Sequence, residues 1–194
     1  AQQRGFGFFL YSGGWRFYLK TTGTWKNDIE HMVASASVNT WVHFAVRFQN
    51  GNLTLYRDGI PVDARNDYIG SVDWSGFSGN LKLGSFDKTE TKFFDGKIDE
   101  VRFWNIARDE NLIKAYKGVA LNGTEDGLIG YWRFDEGGVS TFSEDLSTLN
   151  NSADLENGAI WVQDSPFLFQ ENILDPSSII GSNFQILSQV SGNE

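Results

Sequence analysis

The chain has 194 residues, is 40% hydrophobic and 15% aromatic, and sets 16 Lys and Arg against 25 Asp and Glu for a formal net charge of −9. That balance leaves no basic stripe, which excludes a nucleic-acid partner, and the lack of Cys excludes disulfides and thiolate metal sites. No run approaches the roughly 20 apolar residues of a membrane-spanning helix, so no membrane insertion is expected, and abundant Gly with scarce Pro suits short strands and turns better than a helical bundle.

In chain order, Phe6–Tyr11 and Trp15–Lys20 flank Ser12-Gly13-Gly14 and predict a hairpin. Trp25 to Ala36 is irregular, with room for one weak strand. In the stretch from Trp41, Val42, Phe44, Val46 and Phe48 alternate with His43, Ala45 and Arg47, the period of two of a strand with distinct faces. Asn50-Gly51 supplies a turn, Leu53–Tyr56 resumes the alternation, and Asp58-Gly59 turns the chain again into the short strand Ile60–Val62. Asp63 to Asn80 is loop-rich; Leu81–Gly84 reads as a strand, Ser85 to Gly96 as a polar excursion, and Lys97–Trp104 as a clear strand.

A single helix is predicted after Asp109, which can cap it, with Leu112, Ile113, Ala115 and Tyr116 on its apolar side and Gly118 at its end. Leu128–Phe134 is a further strand, and short strands are expected near Ala153–Leu155 and Ala159–Val162. From about Phe169 the chain turns Ser- and Asn-rich. Residues 1–168 are therefore read as one domain, and 169–194 as a linker or the start of a following region. Many short strands with one small helix predict an all-β fold, a two-sheet antiparallel β-sandwich.

Three pieces stand in a telling order: IDEVRFWNIARDE, then LNGTEDGLIGYWRFDEGG, then GAIWVQDSP. With WVHFAVRFQNGNLTLYRDG before them, they resemble the concanavalin A-like, laminin-G-like (pentraxin-like) jellyroll modules of large secreted bacterial proteins, over about residues 6–167. The resemblance implies an extracellular or cell-surface binding and adhesion module. Such modules usually open with two strands that do not precede Phe6 here. The expectation is a fragment or processed product of a longer protein, or a sandwich whose missing strands another chain supplies. Residues Ala1–Arg4 do not open a signal peptide, so an export signal would lie upstream.

Enzymes of this fold that cleave β-glucans or agar carry E-x-D-x-x-E on a strand. Here Lys97 and Arg102 stand where that motif needs carboxylates, and Asp99 beside Glu100, on opposite strand faces, cannot act as such a pair. His31 and His43 are the only histidines, and no G-x-S-x-G is present. No catalytic residue is assigned, and His43 is read as a packing residue.

Two kinds of site are open. Asp99, Asp87 and Glu90 are oxygen donors of the type calcium prefers, and related folds hold a structural calcium near this strand; Asp99 could equally be a buried carboxylate tied to backbone N–H groups or to Arg102 or Arg133. For a glycan, Trp74 with Asp73, Phe77 and Asn80 is the first candidate loop and Trp25 the second, since both tryptophans lie in irregular polar segments. The alternative is that both cover the ends of the sandwich, whereas Trp41, Trp104, Trp132 and Trp161 read as core. The function expected is non-catalytic binding of a glycan or other surface component. The alternative is a structural spacer or assembly domain that pairs with another chain through its sheet edge and binds no sugar.

Overall fold

The computed structural model describes residues 5–11, 14–23, 34–35, 39–75, 80–85, 93–163 and 184–192. Its strands are β1 (Phe6–Tyr11), β2 (Gly14–Leu19), β3 (Ala34–Ser35), β4 (Val42–Gln49), β5 (Asn52–Arg57), β6 (Ile60–Arg65), β7 (Gly96–Trp104), β8 (Leu128–Trp132), β9 (Phe142–Ser143), β10 (Ala153–Asp154) and β11 (Phe184–Gly192), with one helix, α1 (Glu110–Tyr116). A three-stranded sheet, β1-β2-β3, faces a six-stranded sheet ordered β6-β5-β4-β11-β7-β8, and the pairing within both is antiparallel. The expected β-sandwich is therefore the fold.

Aromatic side chains join the two sheets. Trp15 of β2 lies 4.8 Å from Phe44 of β4, Phe8 of β1 lies 5.2 Å from Phe44, and Phe6 lies 5.9 Å from Phe103 of β7, all between ring centroids. Val42, Phe44, Val46 and Phe48, the apolar half of the β4 alternation, all enter this core with Leu53, Leu55, Val101 and Trp132. Close, offset aromatic contacts add to the area they bury. A second core lies on the outer face of the large sheet, where Ile113 and Tyr116 of α1 pack on Ala45, Tyr56, Trp104, Leu128 and Tyr131.

Local chemistry sets the turns. Asn50 (φ 49°) and Gly51 (φ 80°), then Asp58 (φ 53°) and Gly59 (φ 78°), put both turn residues in the left-handed region, as two-residue hairpin loops of this hand require. Asp58 is further tied to β4, its Oδ1 accepting from His43 N–H at 3.1 Å. The α1 helix rests on the second turn, so a Cβ at Gly59 would stand 2.8 Å from the Cα of Lys114. Gly59→Ala is expected to lower stability by about 1–3 kcal/mol through the positive φ and this contact, measured by urea unfolding; Gly51 offers the comparison at the other hairpin. Asp109 caps α1 as expected, its carboxylate accepting from Asn111 N–H.

The open edge of β8 is covered by a loop, since Tyr131 N–H donates to Asp145 Oδ1 and Leu146 N–H to Tyr131 O, each at 2.8 Å. At the other edge, β6 carries Pro61, Asp63 and Arg65, residues that discourage further pairing.

Several details differ from the sequence reading, β6 running on through Arg65 among them. Leu81–Gly84 forms no strand; Leu81 is exposed, and Ser85 makes only an isolated bridge to Phe93. Ala159–Val162 forms none either: Ile160 is exposed, and Trp161 is held by its Nε1–H to Ser140 O rather than by a ladder. Trp104 and Trp132 are core residues, whereas Trp41 and Trp161 are only half-buried. Residues 184–192, from the stretch set apart as a linker or following region, form a strand inside the large sheet, Ile186 opposite both Val46 of β4 and Phe103 of β7.

Candidate functional site

The candidate glycan loop sits at the end of the β1–β2 hairpin. There the chain from Ser71 to Asp73 runs beside Lys20–Thr22: Asp73 N–H donates to Lys20 O and Thr22 N–H to Ser71 O, both at 2.8 Å. Gly5 N–H donates in turn to Asp73 O at 3.0 Å. Asp73 Oδ1 accepts from Ser75 N–H at 2.9 Å, a local turn that fixes the direction in which the chain leaves Trp74.

The Trp74 indole lies over Gly5, where a Cβ would come within 2.8 Å of its ring, and meets Phe6 edge-on at 5.6 Å between centroids. Even so, it is 49% exposed. It thus covers the end of the sandwich and also presents a fixed aromatic surface to solvent. Asn80 is exposed. Phe77 and Trp25 lie outside the described residues, as do Asp87 and Glu90. The sequence could not point to Gly5 and Phe6 as the support of Trp74, because they are nearly 70 residues away and meet it only through the hairpin end.

Asp99 occupies a different setting. Ile98 and Val101 of β7 both pack into the inter-sheet core, three residues apart. The register explains this: Leu187 of β11 stands opposite Arg102 and Gln189 opposite Asp99, so β7 carries one residue more than its partner. That bulge, with Glu100 at φ 54°, places Asp99 and Glu100 together on the face that bears α1. The expectation of opposite faces is corrected here, because it assumed unbroken alternation.

The two carboxylates are not open to a substrate. Glu100 is 4% exposed and Asp99 6%. Glu100 Oε2 accepts from Arg102 Nη2 at 2.5 Å and from the Tyr131 hydroxyl at 2.8 Å, and Arg133 Nε lies 3.4 Å from Oε1. Arg102 also donates to the carbonyls of Tyr116 and Val119, which ties the end of α1 to the sheet. Tyr131 accepts from Leu121 N–H at 3.1 Å, and burial, then the charge of Glu100, raises its phenol above the usual range. Asp99 Oδ1 accepts from Glu100 N–H at 2.9 Å. Among the described residues no group of three His, Cys, Asp or Glu could hold a metal ion; Asp87 and Glu90, read with Asp99 as calcium donors, lie outside them.

His43 belongs to the same face, opposite Gln189, which in turn stands opposite Asp99. It is buried, and among the described residues neither ring nitrogen has a hydrogen-bond partner. Burial, then the positive charges of Arg102 and Lys117, lowers its pKa to about 3. At neutral pH it is an uncharged, buried packing group. The sequence reading offered Arg102 or Arg133 as partners of Asp99; the ion pair forms on Glu100 instead, and nothing in the sequence pointed to the Tyr131 hydroxyl that joins it.

Two observations of kinship complete the picture. A laminin G family model described as the concanavalin A-like lectin/glucanases superfamily matches residues 1–114. No curated protein and no solved structure matches the chain.

Proposed function

The chain belongs to the concanavalin A-like lectin/glucanase superfamily, and from that premise we propose that it is a non-catalytic module of an extracellular or cell-surface protein that binds glycan through Trp74. Laminin G-like domains generally serve binding and usually occur in extracellular proteins. The observation that carries the glycan reading is the posture of Trp74, clamped by Gly5 and Phe6 yet half exposed. A ring held in one orientation loses little entropy when a pyranose stacks on it. Asp73 lies next to it in the chain, and the exposed Asn80 is a second polar group for hydroxyls. Burial of Asp99 and Glu100 within an Arg–Tyr network supports binding without hydrolysis, because a glycosidase needs its carboxylates on either side of a reachable bond.

The test is binding of the intact chain to a panel of polysaccharides, with Trp74→Ala alongside. The variant is expected to lose affinity at least about tenfold while unfolding cooperatively. Equal binding by wild type and variant would remove this site. Release of reducing sugar from any bound polysaccharide would overturn the non-catalytic reading.

A further inference from the structure

We propose that the slot between β4 and β7 accepts residues 184–192 of a second copy of this chain, so that copies join by exchanging β11. This goes beyond the glycan reading and does not depend on it. The topology carries it. β4 continues into β5 through Asn50-Gly51, and β7 runs on toward α1, so neither neighbour is joined to β11 by a turn. The twenty residues 164–183 separate β11 from the rest of the described chain; fully extended, they could reach about 66 Å. Nothing in the strand order obliges β11 and its neighbours to come from the same copy.

The slot recognises main chain on both sides. Pairing with β4 runs from Phe184↔Phe48 to Val190↔Val42, and pairing with β7 from Gln185↔Trp104 to Gly192↔Gly96. Every one of these pairs is equally available to a strand from a second copy, which is the condition for domain swapping. The segment FQILSQVSG carries no charge in a chain of net charge −9, so its entry brings no carboxylate into an acidic partner. The slot also calls for an occupant: left open, it would expose two strand edges beside Val42, Phe44, Val46, Val101 and Phe103 of the core.

The absence of native Cys makes the test clean. Chains carrying Arg47→Cys and chains carrying Gln185→Cys, at positions opposite one another in the register, are mixed at high concentration, opened briefly in urea, returned to buffer and oxidised. A covalent heterodimer in clear excess over either homodimer is the expected result. A chain carrying both substitutions reports the register. If it cross-links only within a monomer while the mixture gives no excess heterodimer, the strand stays in its own copy and the proposal falls. If it does not cross-link at all, β11 does not occupy the slot and the proposal also falls. The unsubstituted chain provides a second measurement: light scattering is expected to show a dimer population that grows with protein concentration, and a strict monomer throughout would overturn exchange.

Discussion

Replacing Glu100 with Gln is expected to destabilise the protein by about 3–5 kcal/mol, read from urea unfolding, because it leaves the Arg102 guanidinium as a buried charge without its counter-ion. Arg102 is 2% exposed, so water cannot make up the loss. The substitution also weakens the acceptor of the Tyr131 hydroxyl and removes the charge facing Arg133. Arg102→Met is expected to be destabilising as well, because the carbonyls of Tyr116 and Val119 lose their donor and Glu100 keeps only Arg133 as a counter-ion. The double change Glu100→Leu with Arg102→Met should cost clearly less than the two single changes added, since no buried charge then remains unpaired. Single costs below about 1 kcal/mol that simply add would mean that the network does not hold the bulge. Glu100→Gly separates the two roles of the residue, easing a positive φ while deleting the carboxylate. Its net effect is expected to be destabilising, because the charge matters more than the dihedral.

Acid is expected to destabilise the fold through His43. The unfolded chain takes up a proton on this ring below pH 6.5, whereas in the folded state burial and the nearby Arg102 and Lys117 hold protonation off until about pH 3. In that window the unfolded state binds more protons, so stability falls as pH falls. The contribution is fully present above pH 6.5 and is lost by about 1.4 kcal/mol per pH unit below it. His43→Leu keeps an apolar group of similar reach and removes the titration. Urea unfolding of both proteins from pH 7.5 to 4 should therefore show a shallower slope for the variant, and the difference isolates His43 from every carboxylate they share. Parallel slopes would mean that the imidazole is reached by solvent or bound by a partner when charged.

Much of the architecture was legible because it rests on short-range signals. The β4 alternation, the Asn50-Gly51 and Asp58-Gly59 turns and the Asp109 cap each follow from a few neighbouring residues and their steric preferences, and each stands where expected. Leu81–Gly84 and Ala159–Val162 misled for the opposite reason: among the described residues a brief apolar alternation there has no partner strand, and a strand exists only where a ladder satisfies its backbone.

The site divides in the same way. Trp74 could be singled out from its irregular, polar surroundings, but its half-covered posture depends on Gly5 and Phe6 meeting it across the hairpin end. Asp99 and Glu100 were visible as acidic residues, yet one extra residue in β7 turned both to the same face and enclosed them among Arg102, Tyr131 and Arg133.

By itself the sequence determined the class of fold, the hairpins and the helix, all of which are set by composition and local periodicity. Only the tertiary structure decided which strand fills the gap between β4 and β7, which carboxylates are buried and how far Trp74 is covered. Those depend on register and on contacts between residues far apart in the chain, and a shift of one residue in a ladder changes the face on which every later side chain lies.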